Sequence, residues 1–233
     1  MPTRSHKGAA TALRGRAPMK PRPPSSLELA TVEDHDLEDE ATFRRLEFSI
    51  DLSGRSADSV EFEQCRFRNA DLSGTSLAQT TLTDCVVENS NLANLRVEKS
   101  GMLRVRLSVS RLTGVHWING SLRDVTVSEC RADLTSFRFS DFHNVVFEGC
   151  NLTRADFQNA DVSGVQFRDC DLTGAQFSQA TMAGTRFTNC VLAGIGGVTS
   201  FDGAIVASGD LAGLAYSLAA ALGIRIEGVG EDD

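Results

Sequence analysis

Every fifth residue from Phe62 to Leu192 is apolar, over 27 positions without an exception. An α-helix cannot use this period, because steps of five residues advance by about 140° and scatter the side chains around the helix. A flat strand cannot use it either, because an odd step sends successive side chains to opposite faces. The 27 side chains share one side only if the chain turns a corner once per five residues. The period therefore predicts a β-solenoid in which each pentapeptide forms one short wall.

The large apolar side chains of this column are predicted to point to the axis of the coil. The core is expected to contain Phe62, Phe67, Leu72, Leu82, Leu92, Leu112, Trp117, Leu122, Phe137, Phe142, Phe147, Leu152, Phe157, Phe167, Leu172, Phe177, Phe187 and Leu192. The residue two positions earlier is small and never charged, as at Cys65, with Leu95 as the bulky exception. The last residue of a unit is often a turn former such as Gly74 or Asn89, so we place the corners there.

The units ADLSG from Ala70, CNLTR from Cys150, ADFQN from Ala155 and CDLTG from Cys170 resemble the A(D/N)LXX signature of the pentapeptide-repeat proteins, a match that covers 135 of 233 residues. The resemblance implies an all-β fold, a right-handed quadrilateral β-helix with four pentapeptides per coil. Residues 20 apart should then stack. The cysteines agree with this repeat, since they stand at Cys65 and Cys85 and at Cys130, Cys150, Cys170 and Cys190. The regular β-helix is predicted over residues 60–194.

The chain before residue 60 has a different composition. Residues 1–36 are predicted to form a disordered basic, proline-rich tail followed by an acidic segment, because residues 1–26 hold all five prolines, six Lys or Arg and no acid. The tail lacks the apolar core of a signal peptide. Residues 37–59 are predicted to form an irregular capping coil built on Phe43, Phe48 and Leu52, with a one-residue slip after Phe48.

Residues 195–233 are predicted to form a C-terminal cap with a helix at about 209–222 and an acidic tail. The helix carries an apolar stripe of Leu211, Leu214, Leu218 and Leu222. One of its faces should cover the open end of the solenoid. The other face either tolerates exposed alanines or meets a second copy of the chain. Family resemblance favours a homodimer through this end. The apolar run is too short to span a bilayer, so no membrane contact is expected.

A search for reactive groups predicts no catalytic residue, no cofactor and no metal site. All six cysteines occupy the small inward column, so we expect free, buried thiols in a reducing cytoplasm. No pair of cysteines or histidines has the spacing of zinc ligands. Asp141 and His143 share a wall, but an exposed pair without a nucleophile beside it is expected to be a solvated contact.

The charge of the rod constrains its partners. The chain has a net charge of -8, yet residues 60–194 hold 13 basic and 15 acidic residues, so the rod itself is nearly neutral. Nothing offers a basic stripe to phosphates, and sequence-specific nucleic-acid binding is not expected. One wall leans acidic, although Arg104 and Arg123 dilute it, and it is the candidate partner face: Glu61, Glu63, Asp84, Asp124, Asp141 and Asp161. Another wall collects arginines: Arg66, Arg68, Arg106, Arg168 and Arg186.

Two functions remain open for a rod without chemistry. Some pentapeptide-repeat proteins are electronegative mimics of duplex DNA that occupy DNA gyrase and protect it from quinolone poisons, so the resemblance implies a gyrase modulator.

The alternative is a general interaction scaffold with an unknown protein partner. Six apolar residues are placed outward or at corners: Val86, Leu103, Ile118, Leu134, Phe139 and Val146. Ala132 leaves the core underfilled, so either Leu134 turns inward in a distorted coil or an apolar patch is displayed. The first of these is the expectation.

Overall fold

The computed structural model describes residues 17–225, which form an all-β, right-handed quadrilateral β-helix of about nine turns with a small C-terminal helix. In the coil of residues 121–140, wall 1 is 121–124, wall 2 is 126–129, wall 3 is 131–134 and wall 4 is 136–139. Residues 125, 130, 135 and 140 join them. Neighbouring coils pair in parallel with an offset of 20, as where Val125 lies opposite Val145. Each wall of the rod is therefore a ladder of equivalent positions.

The strands are short because each one ends at a corner. They are β1 (Glu28–Leu29), β2 (Thr42–Arg44), β3 (Leu46–Phe48), β4 (Ser56–Asp58), β5 (Glu61–Glu63), β6 (Arg66–Arg68), β7 (Ser76–Ala78), β8 (Thr81–Thr83), β9 (Val86–Glu88), β10 (Arg96–Glu98), β11 (Gly101–Ser108), β12 (His116–Ile118), β13 (Ser121–Ser128), β14 (Asp141–Glu148), β15 (Gln166–Arg168), β16 (Arg186–Thr188) and β17 (Ile205–Val206). The helices are α1 (Val32–His35) and α2 (Leu211–Ala221), and Val198–Ser200 is a 3-10 turn.

Strand pairing differs between the walls. A 13-stranded sheet follows walls 1 and 2, and β4, β7, β10 and β12 form a second sheet on wall 4. Wall 3 is held by single bridges, from Asp51 opposite Asp71 to Asp171 opposite Val191. No helix of residues 17–225 has the length and apolar character of a membrane span.

The five-residue column fills the interior of the rod. Of the 18 side chains expected in the core, 17 are at most 7% exposed and Leu82 is half-buried. Coils lie about 4.8 Å apart, which suits stacked aromatic rings. Phe147 stacks on Phe167 at a centroid distance of 5.3 Å, and Phe167 stacks on Phe187 at 5.1 Å. The repeat of 20 thus produces continuous aromatic stacks along the axis.

The core is tight at one coil and loose beside it. Trp117 is buried, and a Cβ atom added to Gly120 would lie 2.1 Å from the indole Nε1 and 2.9 Å from the Ser100 carbonyl oxygen. Only glycine fits beside the largest core residue. The coils between Phe62 and Phe137, where Leu and Val replace Phe, enclose an apolar cavity of about 60 Å³.

The corners lie where the turn formers predicted them. The last residue of nearly every unit has a positive φ, including non-glycine residues such as Asn89 (φ 50) and Asp169 (φ 52). Asn and Asp tolerate this left-handed conformation better than most residues. Their side chains also form ladders, because the Asn89 amide donates to Asn69 Oδ1 and the Asn189 amide donates to Asp169 Oδ1.

The ladder continues past both ends of the regular pattern. Phe48 lies opposite Phe67, 19 residues on, whereas Asp51 lies opposite Asp71, 20 residues on. The predicted slip after Phe48 is therefore confirmed. Further pairs join β1 to β3 and β16 to β17, so irregular coils extend the rod at each end.

The six cysteines are free and buried. Their Sγ atoms point to backbone carbonyl oxygens, as in Cys170 to Arg168 O at 3.1 Å. The neighbouring Cys65 thiol and burial raise the pKa of Cys85, and burial raises the pKa of Cys190. All six side chains are enclosed within the coil, so they act as small core residues.

Candidate interaction surfaces

Only some of the six carboxylates of the candidate acidic face are exposed to a partner. Glu61, Glu63, Asp141 and Asp161 are exposed on wall 1. Asp84 and Asp124 are 8% and 6% exposed, contrary to the expectation of six free carboxylates. Both lie in the corner column of wall 1, where other groups cover them.

The cover is a part of the chain that composition had assigned to a disordered tail. The backbone amide of Met19 donates to Asp124 Oδ1 at 3.0 Å, and the backbone amide of Arg22 donates to Asp84 Oδ1 at 3.2 Å. Residues 17–24 lie against the rod instead of forming the disordered tail that composition predicts, because the corner column binds four of their backbone groups. Residues 1–16 of that predicted tail, and residues 226–233 of the predicted acidic C-terminal tail, lie outside the described part of the chain.

Arg104 completes this corner column. Its Nε and Nη2 atoms donate to the two carboxylate oxygens of Asp84 at 2.8 and 2.7 Å. This bidentate pair, helped by the Arg22 amide, lowers the pKa of Asp84 below its usual value. Asp84 therefore stays ionised and fixed in place, and contributes little free negative charge to wall 1.

Wall 2 carries the five arginines, but acids neutralise part of it. Glu47 forms ion pairs with Arg66 at 3.3 Å and Arg68 at 3.8 Å, and Glu88 lies 2.7 Å from Arg68. Two of the six apolar candidates, Val86 and Val146, are buried on this wall at 2% and 4% exposure. Their ladder neighbours are Arg66 and Arg106 for Val86, and Thr126 and Gln166 for Val146. As buried side chains, the two valines are not available to a partner.

Apolar residues are displayed at corners instead. Leu134 is 53% exposed and Phe139 is 50% exposed, with φ values of 59° and 57°. The expectation that Leu134 turns inward is wrong, because Ala132 keeps its coil bond to Asn151 O and the corner geometry directs Leu134 outward. Leu134 and Phe139 flank the outer face of wall 4, where Ile118 is half-buried one coil away. Leu103, on wall 1, is also half-buried.

The C-terminal helix uses half of its predicted stripe. Leu214 is 3% exposed and Leu218 packs against the core, whereas Leu211 and Leu222 are 51% and 75% exposed. Asp210 begins the helix without a side-chain cap, because its carboxylate accepts the Cys190 amide at 2.9 Å. The helix thus covers the last coil with the middle of its stripe and leaves the leucines at both ends exposed.

No group of three or more His, Cys, Asp or Glu in residues 17–225 could hold a metal ion. His116 and His143 are exposed, and no ion pair joins His143 to Asp141 in this part of the chain. The polar side chains of the described residues are therefore arranged along the walls and corners on the surface of the rod.

Comparison with known proteins agrees with this architecture. The family described as "Pentapeptide repeat region" matches residues 60–137 and 128–196. A trypsin-treated form of QnrB1, a plasmid-mediated fluoroquinolone resistance protein, is 16% identical with a TM-score of 0.44, covering 81% of this chain and 99% of that one. HetL, involved in heterocyst differentiation regulation in Nostoc sp. strain PCC 7120, is 20% identical with a TM-score of 0.30, covering 73% and 91%. No curated protein sequence matches the chain significantly.

Proposed function

Because the chain belongs to the pentapeptide-repeat family, we propose that it is a non-catalytic rod for protein–protein interaction. The observation that supports this proposal most is the distribution of side chains: large apolar side chains fill the axis of the rod, and polar side chains line its outer walls. Such a rod presents flat ladders rather than a cleft in which catalytic groups converge. Its function then depends on exposed side chains at fixed spacing. The free, buried cysteines fit our proposal that it acts in the cytoplasm.

Wall 4 is the candidate contact surface for a general protein partner. Leu134 and Phe139 expose large apolar groups at left-handed corners, which are costly places for such residues. The Leu134→Ser, Phe139→Ser double variant should lose the partner in a pull-down from the source cell. Arg111→Ser with Arg154→Ser, two exposed changes on wall 3, is the matched control. Equal recovery by both double variants would exclude wall 4.

A DNA-mimicking modulator of DNA gyrase, protective against quinolone poisons, is the second candidate function. The exposed carboxylates at the two ends of wall 1, Glu61 and Glu63 against Asp141 and Asp161, favour it. The neutral middle of this wall weakens this candidate, since a mimic of duplex DNA needs a negative electrostatic potential as well as a rod shape. Gyrase supercoiling with the purified protein at micromolar concentration tests it, with Asp141→Asn, Asp161→Asn as the charge-deleted control. If the protein neither inhibits gyrase supercoiling nor relieves quinolone poisoning, the gyrase-directed function is excluded. The general protein-interaction rod then remains.

We also propose a homodimer through the C-terminal end. Tyr216, at 69% exposure, lies on the outer side of α2 with the exposed Ala212 and Ala215. Leu211 and Leu222 are exposed at the two ends of the helix. Tyr216→Glu should produce monomers in sedimentation, because it places a charge in the proposed interface. Lys99→Glu, a change on the exposed rod, should leave the dimer intact. A wild-type chain that sediments as a monomer would refute the proposal.

A further inference from the structure

Residues 17–24 have the spacing of a polyproline-II helix. This helix has three residues per turn, and Pro18, Pro21 and Pro24 are half-buried against the rod. Met19, Lys20 and Arg22 are exposed, while Pro23 is also half-buried. Proline fixes φ near the polyproline value, and the residue before proline favours the same region. The sequence of this segment therefore predisposes it to an extended form with one face toward the rod.

The period of this segment matches the period of the coils. One polyproline-II turn rises about 9.3 Å, and two coils rise about 9.6 Å. Met19 and Arg22 are one such turn apart, and their amides bond to Asp124 and Asp84, which are two coils apart. The match lets two positions one turn apart, Met19 and Arg22, meet equivalent carboxylates of one column.

The corner column of wall 1, which consists of Gln64, Asp84, Arg104, Asp124 and Asn144, also binds the carbonyl groups of the segment. The side-chain amide of Asn144 donates to the Ala17 carbonyl oxygen at 3.3 Å, and the side-chain amide of Gln64 donates to the Arg22 carbonyl oxygen at 3.2 Å. Within the column, Arg104 fixes Asp84 and the Asn144 amide also donates to Asp124 Oδ1. The column thus offers donors and acceptors whose positions the β-helix sets.

We infer that this corner column is a binding groove for an extended, proline-spaced basic peptide, and that residues 17–24 are its built-in ligand. Arg104 neutralises Asp84, and Asp124 leaves the column with a net negative charge that suits a basic peptide. Arg104 lowers the pKa of Asp84 most, and the Arg22 amide and charge add to that effect. While the segment is bound, Asp84 and Asp124 are closed to other molecules. A second peptide of the same chemistry has to displace the segment to bind.

Two full-length variants distinguish the contribution of the backbone hydrogen bonds of the segment from the contribution of its side chains. Met19→Pro with Arg22→Pro removes both amide donors and keeps polyproline geometry. Met19→Ala with Arg22→Ala removes the same side chains and keeps the donors. Carbodiimide labelling read by mass spectrometry reports the exposure of Asp124, with exposed Asp141 and Asp161 as internal standards. Asp124 should label at least tenfold more slowly than Asp141 in the wild type and the Ala variant. In the Pro variant it should approach the Asp141 rate.

Equal labelling of Asp124 and Asp141 in the wild type would overturn the occupied groove. Continued protection in the Pro variant would show that the two amides do not hold the segment, and would also overturn the inference.

A fluorescein-labelled peptide with the sequence of residues 17–24 then tests recognition between molecules. It should bind the Pro variant at least tenfold more tightly than the wild type in fluorescence anisotropy. Adding Asp124→Ala to the Pro variant should abolish the gain, because it removes the acceptor, and adding Asp169→Ala, at a corner of wall 2, should not. Absence of binding at millimolar peptide, or equal binding to all variants, would refute a specific groove.

Discussion

Two phenylalanines of the same chain, one inside the coil and one at a corner, test the wall-and-corner geometry. Phe157 is 0% exposed and stacks between Phe137 at 5.3 Å and Phe177 at 5.0 Å. Phe157→Ala leaves a cavity in a rigid stack, which should cost about 3–5 kcal/mol of unfolding free energy. Phe139 is 50% exposed, with the Arg138 guanidinium 5.5 Å from its ring centroid. Phe139→Ala should cost less than about 1 kcal/mol.

Urea unfolding followed by far-UV circular dichroism gives both free energies. The fluorescence of Trp117, the single tryptophan and a buried one, gives a second probe of the same transition. For a chain of this size the Phe157→Ala loss lowers the melting temperature by on the order of 10 °C. Equal destabilisation by the two substitutions would refute the assignment of the five-residue column to the interior.

Further predictions concern two other structural features. Gly120→Ala should destabilise the rod by about 1–3 kcal/mol through overpacking, and a double-mutant cycle in urea unfolding should show that it costs less in the Trp117→Leu background than in the wild type. Asp84→Asn should cost roughly 1–2 kcal/mol at pH 7, because it removes charged hydrogen bonds, while Asp169→Asn at an exposed corner should cost little. The pKa of Asp84 is lowered in the fold, so its contribution is present above the unfolded pKa of about 3.9 and is lost as the pH falls through the lower folded value. The cost of Asp84→Asn should therefore shrink toward zero in urea titrations as the pH falls below the folded pKa of Asp84; a cost that stays constant with pH would contradict the ionic origin.

The core of this fold could be predicted from the sequence because one geometric rule applies to every unit. A large apolar residue at every fifth position, with a small one two places earlier, is satisfied only by a chain that turns at each unit. The positions of the corners followed from the same rule, down to the slip after Phe48. Local composition and global architecture agree along most of the rod.

The segment of residues 17–24 was misassigned because composition alone cannot reveal a match between two periods. Prolines and basic residues without acids are typical of disorder. The spacing of Pro18, Pro21 and Pro24 was a usable signal, but its meaning depends on the acceptors at Asp84 and Asp124. Those acceptors come together only after the coils have stacked.

Leu134 shows how backbone geometry can override side-chain hydrophobicity. An underfilled position at Ala132 suggested that a neighbouring leucine would turn inward. The last residue of each unit adopts a positive φ at the corner, however, and Leu134 follows that pattern with φ of 59°. Its side chain then points outward whatever its chemical character, so the core keeps a small residue and the surface gains an apolar one.

Site-specific photocrosslinking in the source cell tests the central claim that the exposed walls bind a protein. A photoreactive residue is placed at two equivalent positions, 20 residues apart, on each wall; Asp141 and Asp161 are such a pair on wall 1. The account predicts that both positions of one wall capture the same protein, while the other walls do not. Failure of every wall to capture a protein, or equal capture by all four, would contradict it.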